Sequence, residues 1–391
     1  MILRGSRHLS AILLRLLLLL PNLSLTTAYT PLSDSSLRAL PSPGSHDFDI
    51  HDHPHSLLSP ILIPRVPGTP GHARVQEHFV SFFRSQLPLW QLEWHNSTST
   101  TPATGSTQVP FSSLIFRRDP PGVKGGDVAR LTLVAHYDSL YRPEGFVGAT
   151  DSAAPCAVLM FVARAVDAAL SRKWDGRGGG GDDDGLEDVE GENVGVQILF
   201  LDGEEAWVTW SESDSIYGAR YHNRALAETW SSTSHAPDSL YPTPLSSISL
   251  FLLLDLLGDA DPRVPSYFRN THWAYQHLSD VEERMRKLAL LEAKPKTPFL
   301  PEKEKKASQF TFGFIGDDHV PFLKKGVDVL HVIPTPFPSF WHTMEDDAQH
   351  LDLPTVRDWA RIVSGFVAEW MELDGEVEVL GRVGDRERDE L

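Results

Sequence analysis

The chain has almost no cysteine: one, Cys156, among 391 residues. That excludes an intrachain disulfide, so stability must come from a packed core. Positive charge is scarce as well. Lys and Arg number 35 against 53 Asp and Glu, a net charge of −18. That is the wrong sign for neutralising phosphates, and nucleic acid is excluded as a partner. Long apolar runs are missing too. The run at 11–20 is broken by Arg15 and falls short of the ~20 residues a spanning helix needs, so no stable membrane anchor is expected. With Arg4 and Arg7 before it and Thr26, Thr27 and Ala28 after it, the stretch 1–28 reads as a secretory signal peptide. The glycine run at 178–181 has no Gly-Lys-Ser/Thr behind it, which excludes a phosphate loop. There is no internal repeat.

What is present suits one large α/β domain, with 41% of residues hydrophobic. Residues 29–70, rich in Pro, Ser, His and Asp without periodicity, read as an extended lead-in outside the core. A single catalytic domain is expected over 71–373. Apolar runs predict strands at 90–94, 111–116, 131–135, 194–201, 248–254 and 327–333. Helical spacing or composition predicts helices at 71–87, 153–169, 213–226, 271–291 and 354–373. Strands alternating with helices predict a mostly parallel, mixed central sheet covered by helices on both faces. Residues 174–193, nearly all Gly and acid, read as a disordered surface insertion, and 97–107 as a Ser/Thr loop. The charged tail 374–391 ends Arg388-Asp389-Glu390-Leu391, similar to a KDEL-type retrieval signal, which with a signal peptide predicts the endoplasmic reticulum lumen or secretion. Asn96-Ser97-Thr98 is then a glycosylation sequon.

Four of the buried strands run into polar residues that can bind metal. They lead to His136 and Asp138 (with Asp151 on the loop beyond), to Glu204-Glu205, to Asp255, and to the loop holding His342. One such ending is ordinary, because a histidine can be a core residue and a carboxylate a helix cap. Four together are hard to explain as packing, since carboxylates are almost never buried unpaired. Parallel sheets place their sites at the carboxyl ends of strands. Zinc takes imidazole and carboxylate ligands, usually three from the protein with one position open. Asp151, His342 and one of Glu204 and Glu205 fit that set, leaving the other glutamate as a proton carrier.

These segments also carry a resemblance. His136-Tyr137-Asp138-Ser139, the run Phe146 to Ala153, Asp202-Gly203-Glu204-Glu205-Ala206 with Trp210, the run Leu253 to Gly258, Asp317-Asp318-His319-Val320-Pro321-Phe322-Leu323 and Trp341-His342-Thr343 look like the glutaminyl-peptide cyclotransferases of the animal type. The match runs from about residue 71 to 373 with the motifs in family order. It implies a zinc-aminopeptidase-like fold and one Zn2+ per chain on Asp151, Glu205 and His342. Glu204 becomes the general acid/base, Asp255 and Asp317 an acidic network beside it, and Trp210 and Trp341 the pocket walls. His136 and Asp138 become support, or the remnant of a second metal position. The family often pairs the cysteine at the position of Cys156; this chain has no second one.

The implied reaction closes an N-terminal glutamine to pyroglutamate and releases ammonia. The implied partners are peptides or proteins beginning with Gln, with Glu as a second substrate, acted on by a monomer. Two other readings compete. A two-zinc aminopeptidase would use His136, Asp151, Glu205, Asp255 and His342. An inactive binding protein of the secretory pathway would need a broken ligand or base, and none is broken.

Overall fold

The computed structural model describes residues 30–51, 53–177, 193–220, 225–311 and 313–377. The expected signal peptide, residues 178–192 of the acidic insertion and residues 378–391 of the tail lie outside them. From Leu32 onward the described residues form one compact unit.

Six strands make one sheet: β1 (Gln91–Ser99), β2 (Val109–Arg118), β3 (Ala129–His136), β4 (Val194–Leu201), β5 (Ile248–Leu254) and β6 (Val329–Val332), in the order β1-β2-β4-β3-β5-β6. β4, β3, β5 and β6 run parallel, and β1 and β2 add an antiparallel edge. β3 is buried at every position, because both of its neighbours are strands and both faces are covered. The side chains alternate accordingly. Leu131, Leu133, Ala135, Ile198, Phe200, Leu250 and Leu252 face the larger core. Val134, Leu199, Leu201, Phe251 and Leu253 face a smaller one.

The larger core is roofed by α2 (Pro70–Gln86), α3 (Ala154–Arg177), α5 (His272–Lys287) and α7 (Leu353–Trp370). α2 starts at Thr69, whose hydroxyl accepts from the His72 amide, with proline in its first turn; both are N-terminal signals. Its Val75, Phe79, Phe82 and Phe83 are buried, the one-sided stripe of a surface helix. α7 is capped by Asp352, which accepts from the Thr355 amide at 3.1 Å. The smaller core is closed by short pieces: Leu226, Ala227 and Trp230 of α4 (Leu226–Ser232) and Phe322 of α6 (Val320–Leu323). The sheet is therefore mixed and helix-covered on both faces, as the strand–helix alternation predicts.

Four expectations fail. The stretch 29–70 is not outside the core. It holds a helix, α1 (Asp34–Ala39), and Leu32, Leu37, Leu40, Phe48, Leu57, Leu58 and Ile61 are buried in the larger core. Glu369 of α7 accepts from the Leu32 amide and from Arg284 of α5, both at 3.0 Å. Irregular chain docking onto finished helices leaves no periodic trace, which is why composition misleads here. The helix expected over 213–226 is absent up to Arg220. There, Ile216, Tyr217 and Gly218 donate backbone bonds to Glu204, Gly203 and Asp202 at 2.9, 2.6 and 2.9 Å, and the chain folds back along the end of β4. Finally, α3 continues through Arg177 into the expected insertion, and β1 takes 97–99 from the expected loop.

Candidate active site

The parallel strands end in register. His136, the last residue of β3, lies beside Leu201, the last of β4. The Asp255 amide, just past β5, donates to Val332 at the end of β6 at 3.1 Å. One edge of the sheet thus receives the residues following four strands, all attached to a rigid core.

Just past β4 the chain makes a tight turn at Gly203, whose φ is +71°. A Cβ there would overlap the ring of Phe111, so only glycine permits the turn. The turn presents two adjacent glutamates in different directions. Asp138 holds it: one carboxylate oxygen accepts from the Glu204 amide at 3.0 Å and the other from the Glu205 amide at 3.1 Å. Both oxygens of this fully buried carboxylate are thereby engaged by backbone.

Glu205 faces Asp151 and His342. His342 Nε2 lies 3.3 Å from Asp151 Oδ2 and 3.5 Å from Glu205 Oε2. The three offer ligand atoms within 4.8 Å of one another. Glu205 Oε1 is buried and has no protein partner. Two carboxylates this close demand positive charge. The imidazole of His342 responds: burial lowers its pKa, but the bonds to Asp151 and Glu205 more than offset this and raise it to about 10. Glu205 is pushed up to about 8, by burial first and then by the charge of Asp151. Burial also pushes Asp151 up, yet its bonds from His136 and His342 hold it well below the usual carboxylate range. A divalent cation meets the same demand, and the donor set of two carboxylates and one imidazole, with an orphaned oxygen, fits zinc. His342 itself sits at φ +58°, a strained backbone for a non-glycine residue of the kind that collects at functional sites.

Glu204 turns the other way. Its Oε1 accepts from the Trp210 indole N–H at 3.0 Å. Burial raises its pKa well above the usual range; His136 opposes this, and the charges of Asp317, Glu205 and Asp318 reinforce it. Asp317 accepts from the ring of His331 at 2.8 Å. Asp255 Oδ1 accepts from the Ser152 hydroxyl and, at 2.9 Å, from the Leu256 amide. His136 Nε2 binds Asp151 Oδ1 at 2.9 Å and lies 3.5 Å from Asp255. His136, Asp151 and Asp255 also form a group of metal-ligand spacing, sharing Asp151 with the first.

Asp151, Glu204, Glu205, Trp210, Asp255, Trp341 and His342 line one cleft of about 520 Å³. Trp341 donates its indole N–H to Asp151 Oδ2 at 3.1 Å and stacks on His342 with centroids 3.8 Å apart. His136 and Asp138 sit beneath the cleft, fully buried, and Asp317, also buried, acts on Glu204 through its charge. Sequence reasoning missed four supporting residues. Ser152 holds Asp255. His331 holds Asp317. Asp214 accepts from the Trp207, Val208 and Thr209 amides at 3.0, 2.9 and 2.9 Å, fixing the loop that carries Trp210. Asp346 accepts from the Thr150 amide and hydroxyl at 2.7 and 2.9 Å, tying the loop of His342 to that of Asp151. Asp346, four residues after His342 in an acidic run, and Ser152, within the run Phe146 to Ala153, had a local cue.

The sequence profile of peptidase family M28 matches residues 122–367. The glutaminyl-peptide cyclotransferase-like protein of Mus musculus is 38% identical over 323 residues, 81% of this chain and 75% of that protein. The glutaminyl-peptide cyclotransferase of Gloydius blomhoffii is 37% identical over 322 residues, 81% of this chain and 80% of that one. The crystal structure of Macrostomum lignano glutaminyl cyclase superposes with a TM-score of 0.68 at 28% identity, covering 88% of this chain and 95% of that one. With a relative this similar over most of its length and the M28 profile spanning the site, the chain belongs to peptidase family M28 and, within it, to the glutaminyl-peptide cyclotransferases.

Proposed function

We propose that this protein converts the N-terminal glutamine of peptides and proteins to pyroglutamate with release of ammonia. The observation that carries the reading is the split pair at the end of β4. Asp138 clamps both amides of the turn, so that Glu205 faces Asp151 and His342 while Glu204 faces Trp210. This split supports reading one glutamate as a metal ligand and its neighbour as a proton carrier.

In this reading Asp151, Glu205 and His342 hold one zinc per chain. Bound there, the ion supplies Lewis-acid polarisation of the substrate's γ-carbonyl and charge for the developing oxyanion. Glu204 takes a proton from the attacking α-amine and delivers it to the leaving amide nitrogen, work that contributes ~10²–10⁴ in rate. A carboxyl with its pKa raised towards neutrality can do both. Burial keeps it raised, together with the like charges of Asp317, Glu205 and Asp318, and Trp210 orients it. Trp210 and Trp341 wall the cleft and exclude water, so that intramolecular attack outpaces hydrolysis. Asp138 and His136 act as support, since both oxygens of Asp138 are already engaged by backbone amides.

The test is a Gln-initiated dipeptide followed for ammonia, pyroglutamate and free amino acid, with zinc content measured on the same preparation. Ammonia and pyroglutamate with one zinc per chain, abolished by a chelator and restored by zinc, is the expected result. Release of an unblocked N-terminal amino acid with two tightly held zincs would establish an aminopeptidase instead.

A further inference from the structure

The segment once expected to lie outside the core reaches the underside of the site. Arg65 is fully buried. Among the described residues, no carboxylate lies within ion-pair range of its guanidinium. Asp138, Asp151 and Asp346 act on it by charge from beyond contact, and burying a guanidinium remains costly unless its donors are bonded. Two of its bonds are weak ones to its own segment, the Ile61 and Ile63 carbonyls at 3.4 and 3.5 Å. The others go to a single loop. One terminal nitrogen donates to the Val147 carbonyl, and the second donates to Gly148 at 2.9 Å and to Asp151 at 3.2 Å. Its fork thus spans the loop up to the carbonyl of Asp151 itself. A planar guanidinium with five fixed donors can do this; an ammonium point charge cannot.

Arg65 is itself anchored. Its amide donates to the Ser139 hydroxyl at 2.9 Å. The Pro64 carbonyl beside it lies against Gly71 of α2, where a Cβ would overlap it. The brace therefore rests on a helix that belongs to the core. From the other side, Asp346 holds the same loop through Thr150. Arg65 lies before residue 122, ahead of the stretch that the M28 profile matches.

We propose that Arg65 is a positioning residue for Asp151, fixing the loop that presents this carboxylate so that the metal site is formed before the metal arrives. The proposal rests on the reading of Asp151 as a zinc ligand. Outer partners that orient a ligand typically contribute 10–100-fold to metal affinity.

The experiment uses the full, zinc-loaded chain in four forms: wild type, Arg65→Lys, Arg65→Met and Glu205→Gln. Zinc transfer to a chromogenic chelator is timed without substrate, melting temperature is recorded, and kcat and KM are measured with and without added zinc. Arg65→Lys keeps the charge and is expected to fold. It should release zinc about 10-fold faster, and Arg65→Met up to about 100-fold faster. Added zinc should restore kcat with KM unchanged. Release from Arg65→Lys within twofold of wild type overturns the proposal, whatever happens to the melting temperature, and would make Arg65 a residue of the fold alone. Glu205→Gln separates the two levels. If it holds zinc as wild type does, the ligand reading itself is wrong. If it loses zinc while Arg65→Lys does not, only the positioning role fails.

Discussion

Replacing Glu204 by Gln should abolish most activity while leaving the fold intact or firmer. The substitution keeps volume and keeps an oxygen for the Trp210 indole N–H, now 3.0 Å from Glu204 Oε1, so the pocket wall stays in place. What disappears is the proton carrier. Its loss predicts a ~10²–10⁴-fold fall in kcat, equivalent to about 3–5 kcal/mol in the barrier. KM should change little, because the cleft is unaltered. Stability should move the other way. The Glu204 pKa is raised by burial first, then by Asp317, Glu205 and Asp318 against the opposing His136. A folded-state carboxyl raised above its unfolded value stabilises the fold only while protonated. That contribution is complete below the ordinary glutamate value of 4.5 and is lost as pH rises through the raised pKa. Glutamine has no such loss. The melting temperature of Glu204→Gln minus that of wild type should therefore widen as pH increases above 4.5. Thermal melts and pyroglutamate assays on the same samples across pH 4–8 check both halves. An unchanged rate would refute the assignment of the proton carrier. A melting difference that stays flat with pH would refute the claim that the carboxylate is held in a hostile environment.

Trp210→Phe removes the indole N–H from Glu204 but keeps a ring in the cleft wall. A hydrogen bond to a charged group is worth ~1.5–3 kcal/mol, so kcat should fall by roughly 10–100-fold; an unchanged kcat for this variant would deny that Trp210 orients Glu204. Asp138→Asn leaves one acceptor oxygen for two backbone amides and turns an NH2 towards the other. The unfolding free energy should drop by about 2–4 kcal/mol, read by urea titration, and zinc affinity and kcat should fall together because one clamp holds both glutamates.

The legible parts share one physical basis. A parallel strand buried on both faces is an apolar run whatever its context, so β3, β4 and β5 were visible, as were the polar residues ending them. α2 carried its stripe of Val75, Phe79, Phe82 and Phe83, and α7 its proline start. The residues that failed were those whose conformation is set by remote partners. The chain before Arg65 has no periodicity, because it docks on helices that others complete. Residues 216–218 pair with residues 202–204, just past β4, rather than coil, because those carbonyls are waiting there. Local propensity carries no record of either.

The amino-acid sequence by itself determined the sheet, the strand ends that bear histidine and carboxylates and the long motifs shared with the cyclotransferases, since these depend on apolar runs and short-range order. Tertiary structure alone shows how Glu204 and Glu205, told apart in the sequence only by the family resemblance, come to face different partners. Adjacent residues in sequence are equivalent until a turn separates them, and that turn is set by two oxygens of Asp138, 66 and 67 residues away. Tertiary structure alone also brought Arg65 beneath Asp151, 86 residues on. Contacts of that span follow from packing, which no single stretch of chain encodes.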